Sequence, residues 1–236
     1  MDLAYLAAVL EKQHKVQVID VPNEGWDNLE EIDGAKYRQG LKNEEIVART
    51  KSFTPAVVVI TVPFSGWSSA AFDVAATVKK VSKDIAVVLI GLHPSARPAE
   101  CLKQQNVDFV VIGEPEETVL ELASVLGQGR KEELKQVKGI GFVENGEAII
   151  TAPRPFIQDL DSLPFPARHL LPMKQFFEAA RKMPISGNLR KPSVRMLTSR
   201  GCPYGCIFCS NHIVMGKQWR ARSAENVVAE IEHIIA

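Results

Sequence analysis

Long apolar runs are missing from this sequence: no stretch approaches the roughly 20 apolar residues that a membrane-spanning helix needs. The N-terminus also lacks the layout of a secretory signal peptide. We therefore expect no membrane span and a cytoplasmic location. Net charge is missing too, because 28 lysines and arginines balance 28 aspartates and glutamates. Without a global positive field, the protein is not expected to bind nucleic acid or an anionic membrane.

Cysteine is scarce, with four in 236 residues. Three of them, Cys202, Cys206 and Cys209, lie within eight positions of the stretch TSRGCPYGCIFCSNH (198–212), and Cys101 stands alone. In a reducing compartment this clustering predicts a metal or redox centre rather than structural disulfides. Cys101 is expected to pack in the core.

Helical and strand-like segments alternate through the first half of the chain. Helices are predicted in LAYLAAVLEKQH (3–14), at 43–53, at 68–82, after Pro98 and at 116–126. Strands are predicted in VQVIDV (16–21), AVVVITV (56–62), AVVLIGL (86–92) and FVVIG (109–113). This alternation predicts an α/β fold with a doubly wound, mostly parallel, Rossmann-like (flavodoxin-like) sheet. Since such a sheet normally opens with a strand, we expect its first strand to lie upstream of Met1.

Ligands of such sheets bind at the carboxyl ends of the strands, where the loops here read PNEGW, PFSGWSS, HPSARP and EPEET. Glycine, proline and serine also occur in ordinary turns, so a ligand rim and plain turns both stay open on local sequence. The candidate cofactor contacts are Ser65, Gly66, Gly91, His93, Pro94, Ser95, Gly113 and Glu114.

Residues 127–190 are predicted to be connection rather than core. Asn145-Gly146 between two apolar runs predicts a tight hairpin. The five prolines of APRPFIQDLDSLPFPARHLLP predict an extended surface strap with little chemistry. His169 within it is expected to be a surface or packing residue. We predict three parts, at 1–127, 128–190 and 191–236.

The last part is predicted to be a strand, a loop and a helix. SVRMLTSRG (193–201) favours a strand that leads into the cysteine loop. SAENVVAEIEHIIA (223–236) favours a helix with Ser223 as N-cap and Glu225 in its first turn. Its apolar face would consist of Val227, Val228, Ile231, Ile234 and Ile235. The thiols therefore lie on a strand-to-helix loop, where ligands are expected.

Three thiolates suit two kinds of metal centre. With His212 they would make a Cys3His zinc site, although all four ligands would then come from one short loop. Alternatively they would hold three irons of a 4Fe-4S cluster and leave the fourth iron open to a reactant. Phe208 would form an aromatic wall beside the cluster or pack into the strand end.

The stretch 181–222 is the one strongly basic part of the chain, with nine lysines and arginines and no acidic residue. Its charges would either offset the negative thiolates and cluster or form a solvated face, and both interpretations stay open. The basic residues that flank the cysteines in the sequence are Arg195, Arg200, Lys217, Arg220 and Arg222.

The C-x3-C-x2-C spacing, with an aromatic residue before the third cysteine, resembles the signature of the radical S-adenosylmethionine (SAM) enzymes. The flanks TSRGCPYGCIFCS and GKQWRARSAENVVAEI resemble the subgroup that carries an N-terminal cobalamin-binding domain. LAYLAAVLEK, GLHPSARPAE, DFVVIGEPEET and DLDSLPFPARHLLP follow in the order expected of that subgroup. The resemblance covers nearly the whole chain and is most specific at the cysteine loop.

The resemblance implies that Cys202, Cys206 and Cys209 ligate a 4Fe-4S cluster whose fourth iron binds SAM. Reductive cleavage of SAM would give a 5'-deoxyadenosyl radical that abstracts a hydrogen from a small-molecule substrate. Flavodoxin or ferredoxin would donate the electron. Cobalamin at the rim would supply a methyl group in most of the subgroup and act otherwise in the anaerobic porphyrin-type cyclases. Because D-x-H-x-x-G is absent, His93 is expected beside the corrin and not on the cobalt.

Enzymes of this subgroup continue through a partial (βα)6 barrel of roughly 200 residues. Here Ala236 follows the first strand and helix of that barrel. We therefore expect a fragment truncated at both ends, inactive by itself, that cannot bury the apolar face of its last helix.

Two alternatives remain. A radical SAM methylthiotransferase would need three further cysteines in the first domain, where Cys101 stands alone. A non-catalytic cobalamin- or nucleotide-binding module would use the cysteines and His212 as a zinc knuckle. Metal content separates the second alternative from the enzymes.

Overall fold

The computed structural model describes residues 2–34, 36–182 and 193–235. The helices are α1 (Asp2–Leu10), α2 (Val21–Glu24), α3 (Asn43–Phe53), α4 (Ser68–Val81), α5 (Leu92–Ala96), α6 (Pro98–Leu102), α7 (Glu116–Gly127), α8 (Met173–Lys182), α9 (Asn211–Met215) and α10 (Ala224–Ile235). The strands are β1 (Leu29–Asp33), β2 (Lys36–Gln39), β3 (Val57–Thr61), β4 (Ala86–Ile90), β5 (Phe109–Val111), β6 (Ile140–Glu144), β7 (Glu147–Ile150), β8 (Ser199–Arg200) and β9 (Arg220–Ala221). The helices predicted at 43–53, 68–82, after Pro98 and at 116–126 are confirmed.

The central sheet has five strands in the order β3-β4-β5-β6-β7. The first three are parallel, with Val57 opposite Ala86 and Val88 opposite Phe109. The last two join as an antiparallel hairpin. The predicted α/β fold is confirmed.

Successive residues of β4 point to opposite faces of the sheet, as the period of a strand requires. Val88 and Ile90 join one apolar cluster, which is completed by α1 and α7. Val87 and Leu89 join a second cluster, completed by α4 and α6. Burial on both faces explains why this strand is an unbroken run of apolar residues.

The predicted hairpin forms around Asn145 and Gly146, whose φ angles are 51° and 83°. Positive φ at both central residues defines the tight turn that Asn-Gly favours. The hairpin is nevertheless core and not connection, because Ile140 and Phe142 are buried against β5. That part of the linker prediction is wrong, and the three-part division of the chain stays a prediction.

The strand predicted at 16–21 is absent from the described residues: the chain there is irregular up to Val21, where α2 begins. Strand geometry needs a neighbour to share its ladder hydrogen bonds, and no described strand pairs with this segment. Val16 and Val18 instead pack against Ala7 and Ala8 of α1. The alternating apolar residues are therefore partly buried, but they pack against a helix and not within a sheet.

The C-terminal strand lies later than predicted. Residues 194–197 are irregular, and Ser199–Arg200 pair with Arg220–Ala221 on the far side of the cysteine loop. Helix α10 follows as predicted, with the Ser223 hydroxyl accepting the Asn226 N–H at 3.1 Å. Its apolar side chains Val228, Ile231 and Ile235 are exposed, as expected, while Glu230 is fully buried.

Within the described ranges, no helix is both long and apolar enough to cross a membrane.

Candidate functional site

Three loops meet at the carboxyl ends of β3, β4 and β5. The first carries Ser65 and Gly66 in an exposed 3-10 turn. The second is α5, in which His93, Pro94 and Ser95 are buried. The third holds Gly113 and Glu114, which are both buried. The eight candidate cofactor contacts predicted from the sequence therefore lie on one edge of the sheet. The PNEGW loop, also predicted for this rim, does not, because no described strand precedes it and its first residues belong to α2.

Side-chain hydrogen bonds tie these loops together. The His93 Nδ1 and Ser65 Oγ atoms are 3.0 Å apart, which joins the first loop to the second. Ser95 Oγ donates to the Gly91 carbonyl at 2.7 Å and accepts the Gly113 N–H at 3.1 Å, which joins the second loop to the third. The rim is thus a connected unit.

The imidazole of His93 is only half satisfied. The residue is 3% exposed, and its Nε2 atom has no hydrogen-bond partner in the described part of the chain. A buried polar atom without a partner costs about 1–3 kcal/mol, so such atoms point to a missing water or ligand group.

Glycine is required at the start of the second loop. Gly91 has φ of 107°, and a Cβ there would lie 3.0 Å from the Val62 carbonyl oxygen. A side chain would therefore be strained both by backbone conformation and by contact with β3. This turn brings the backbone of two neighbouring strands close together at the rim.

The residues at both ends of the cysteine loop lie against the same rim. The loop starts at Gly201, directly after β8 of the antiparallel pair of β8 and β9, where a Cβ would be 1.9 Å from the Gln218 carbonyl oxygen. The Cys202 N–H donates to the Gly216 carbonyl at 3.2 Å, which closes the loop. Helix α9, directly after the loop, packs on α5. The structure therefore brings the two predicted sites together.

The thiols themselves are accessible. Cys206 is exposed, Cys202 and Cys209 are half-buried, and all three are free. The neighbouring Phe208 is 89% exposed, so packing into the strand end is excluded. Among the described residues, no three His, Cys, Asp or Glu side chains are gathered as a metal-binding group, and neither the cluster nor the Cys3His arrangement is preformed. The donor chemistry fits a thiolate-bound metal centre, whereas the ligand geometry is not formed.

Two arginines of the basic stretch, Arg200 and Arg220, have a different role from either prediction. Arg220 donates to both carboxylate oxygens of Glu114, at 2.9 and 3.0 Å, and Arg200 approaches the same carboxylate at 3.2 Å. Arg200 also donates to Glu116 at 2.5 Å. These side chains are almost completely buried. The arginines therefore join the cysteine segment to the sheet domain as buried ion pairs.

Two residues of the same stretch, Arg195 and Lys217, are exposed and fit a solvated face. Residues 183–192 of the stretch lie outside the described ranges. For Arg200, Arg220 and Arg222 the solvated-face prediction is wrong, because all three are buried and paired with glutamates. Arg200 and Arg220 pair with Glu114 of the sheet domain, and Arg222 pairs with Glu230 of α10.

The charge on Arg200 is secured by its partners. Burial by itself lowers the pKa of this guanidinium, but Glu116 and Glu114 outweigh burial and hold the pKa above its usual value. Its guanidinium carbon also lies 5.4 Å from the centre of the Tyr5 ring. Arg200 is thus a permanent positive charge between the sheet domain and the cysteine segment.

Glu114 was predicted as a cofactor contact, and the structure gives it other partners. Besides Arg220 and Arg200, its carboxylate accepts the Ile157 N–H at 2.8 Å. Both oxygens are therefore engaged within the protein. A contact between Glu114 and a cofactor stays a prediction that this geometry does not support.

The proline-rich strap does more than run over the surface. The Ile157 carbonyl accepts from Arg220 at 2.5 Å, and the Asp161 carboxylate accepts the Ser223 N–H at 3.0 Å. A Cβ on Gly216 would lie 2.6 Å from the Phe156 ring. The strap is therefore packed between the rim and the cysteine segment, and the expectation of a passive connection is wrong. His169 is exposed, as predicted, and bonds to Glu11.

A second buried ion cluster lies at the strap's far end. Glu230 bonds to Arg168 at 2.5 Å and also to Arg222, whose guanidinium donates to the Tyr5 hydroxyl at 3.2 Å. Burial, with Glu230 adding to it, raises the pKa of Tyr5. This cluster fixes α10 to α1, although Val228, Ile231 and Ile235 of α10 stay exposed while Val227 and Ile234 are half-buried.

Cys101 differs chemically from the loop cysteines. Burial raises the pKa of its thiol to about 11, and Glu100 adds to the shift. At pH 8 only about one such thiol in a thousand is ionised, and the thiolate is the reactive form. We expect iodoacetamide at pH 8 to add to Cys202, Cys206 and Cys209 only, so that the intact mass shows three adducts. Unfolding in urea should give a fourth adduct, and equally fast modification of four thiols in the native protein would contradict this assignment.

Comparison with known proteins gives three findings. The family model for the B12 binding domain matches residues 1–123. An uncharacterised methyltransferase of Pyrococcus horikoshii is 34% identical over 98% of this chain and 44% of its own length. Cytidylyl-2-hydroxyethylphosphonate methyltransferase of Streptomyces wedmorensis is 31% identical over 98% of this chain and 47% of its own. The chain therefore spans less than half the length of these relatives.

Among solved structures, the fold is similar to that of OxsB, a cobalamin-dependent S-adenosylmethionine radical enzyme with aqua-cobalamin and S-adenosylmethionine bound. The TM-score is 0.73 at 20% identity, over 99% of this chain and 28% of that one. At this identity the match establishes the shared fold.

Proposed function

Because this chain belongs to the B12-binding domain family, we propose that it forms the cobalamin- and cluster-binding part of a cobalamin-dependent radical SAM enzyme of methyltransferase type. The observation that carries the proposal is the packing of α9, which follows the three thiols, on α5 at the ligand rim of the sheet. The methyltransferase assignment is favoured over a cyclase because the Pyrococcus and Streptomyces relatives, which each match 98% of the chain, are named methyltransferases.

The rim residues fit cobalamin on one structural ground: the buried His93 Nε2 lacks a partner that a ligand at this edge would provide. Ser65 sets the ring orientation through Nδ1. Gly91 and Gly113 let the backbone approach the ligand, since both have positive φ and no side chain. His93 would thus serve as a polar contact to the corrin and not as a cobalt ligand.

Cys202, Cys206 and Cys209 would hold a 4Fe-4S cluster. When bound, such a cluster reductively cleaves SAM to start radical chemistry, and cobalamin supplies the methyl group to be transferred. The contribution of this chain is to hold the thiols on an accessible loop and to keep that loop against the rim by buried ion pairs. The remaining partners proposed are a small-molecule substrate and an electron donor such as flavodoxin or ferredoxin, in a cytoplasmic setting without nucleic acid.

The residues of this chain favour neither alternative. A methylthiotransferase would need further accessible cysteines in the sheet domain, and Cys101 is fully buried. A zinc knuckle would use His212, which is exposed and, like the three thiols, belongs to no preformed metal-binding group among the described residues. Metal analysis therefore separates the zinc knuckle from the cluster.

Equilibrium dialysis against hydroxocobalamin tests the proposal. We expect the purified chain to retain about one cobalamin per chain, because the loops after β3, β4 and β5 are joined into one rim by hydrogen bonds. His93→Asn keeps an amide near the Nδ1 position but loses the Nε2 position, whereas His93→Gln keeps a polar atom near Nε2. Asn is therefore expected to weaken binding about tenfold and Gln less, with unchanged thermal unfolding as the control. A folded chain that retains no cobalamin would refute the proposal.

A further inference from the structure

A cavity of about 10 Å³ lies where the rim meets the cysteine segment. It has room for about one water-sized group. Gly91 and Gly113, directly after β4 and β5, line it together with Arg200 and Met215 from the two sides of the cysteine loop. Glu116 also lines the cavity.

Glu116 is an incompletely satisfied carboxylate. The residue is 1% exposed, and its Oε1 atom accepts from Arg200 at 2.5 Å. Its Oε2 atom is buried and has no hydrogen-bond partner among the described residues. A buried carboxylate oxygen strongly needs a donor, so its position in the wall of a cavity indicates that an N–H or O–H group belongs there.

The charges around the cavity decide which kind of group fits. Glu114 and Glu116 carry two negative charges, and Arg200 and Arg220 carry two positive charges, in mutual contact. The group is therefore neutral overall. A neutral donor completes it without a charge penalty, whereas an added anion would face the free carboxylate oxygen.

We propose that Glu116 Oε2 accepts a hydrogen bond from an N–H of a primary amide at the edge of the ligand, one of the propionamide side chains of the corrin. The inference rests on the proposed function, since it concerns cobalamin bound at this rim. Glu116 would then select amide-bearing corrinoids and also hold the cysteine segment through Arg200.

The test uses hydroxocobalamin and its three monocarboxylic acids, in which the b, d or e propionamide is a carboxylate. If Glu116 faces one of these amides, the wild-type chain should bind the corresponding acid about tenfold or more weakly than hydroxocobalamin. Binding of all three acids within about twofold of hydroxocobalamin would overturn the inference and would mean that water fills the cavity.

The variant Glu116→Gln adds a second readout. This change removes one negative charge, so the four charged residues around the cavity then carry one net positive charge. The acid that the wild-type chain binds weakly should therefore bind to Glu116→Gln as well as hydroxocobalamin does, or better. Glu117→Gln makes the same change at an exposed neighbour, 3.7 Å from Arg154, and should keep the wild-type discrimination. Equal weakening of all ligands in Glu116→Gln would contradict the proposed contact and leave a structural role only.

Failure of the inference differs from failure of the proposed function. A folded wild-type chain that binds no hydroxocobalamin would refute both. A chain that binds hydroxocobalamin without discriminating among the acids would refute the Glu116 contact alone.

Discussion

Replacing Arg220 by alanine is expected to lower the free energy of unfolding by about 3–5 kcal/mol. The change leaves the buried Glu114 carboxylate with fewer donors and removes the bonds to the Ile157 and Met215 carbonyls. It also removes a guanidinium that lies 5.1 Å from the centre of the Phe156 ring. Urea unfolding followed by circular dichroism gives the free energy, and hydrogen exchange over 199–222 distinguishes local release from global unfolding.

Arg97→Ala is the matched control. Arg97 is exposed and lies 3.6 Å from the equally exposed Glu100, so its loss should change the unfolding free energy by no more than about 0.5 kcal/mol. If Arg220→Ala costs less than about 1 kcal/mol, the pair with Glu114 is open to water in solution. The cysteine segment would then not be held against the rim.

Local sequence patterns predicted the elements that local physics determines. Helix α3 begins and ends where its sequence predicts, and the turn at Asn145-Gly146 has the two positive φ angles that this dipeptide favours. The position of the rim also followed from topology, because the carboxyl ends of parallel strands share one edge. The strand predicted at 16–21 was wrong because a strand also needs a neighbour, which no local pattern specifies.

The buried ion pairs were beyond local sequence reasoning. Arg200 and Glu116 are 84 residues apart in the chain, and Arg220 and Glu114 are 106 apart. A count of charges in one stretch indicates an excess but not the location of its partners. One signal was available: a basic stretch without acids in a chain of zero net charge requires a compensating acidic surplus elsewhere.

For the cysteine loop, the sequence predicts the chemistry better than the structure does. Spacing alone predicted a metal centre, and the structure adds accessibility and contact with the rim. It does not gather the thiols into a ligand group within the described residues. Sequence reasoning was thus more specific about chemistry here, while the structure was more specific about location.

Replacing Cys206 by alanine is expected to abolish the iron-sulfur centre. After anaerobic reconstitution with iron and sulfide, the wild-type chain should hold about four irons and four sulfides. The Cys206→Ala chain should hold less than about a tenth of that, because two thiolates cannot hold the cluster. Cys206 is exposed, so its loss should leave the unfolding free energy within about 0.5 kcal/mol of wild type.

Cys101→Ala is the control for Cys206→Ala, because it removes a thiol that is not a predicted cluster ligand. Cys101 is fully buried in the second apolar cluster and away from the loop, so this variant should keep the full iron and sulfide content. Stoichiometric zinc without sulfide in the wild-type chain would identify a structural knuckle instead. That result would remove the radical chemistry from the proposal. Cobalamin binding at the rim would then rest on equilibrium dialysis alone, because the rim binds cobalamin through residues other than the three cysteines.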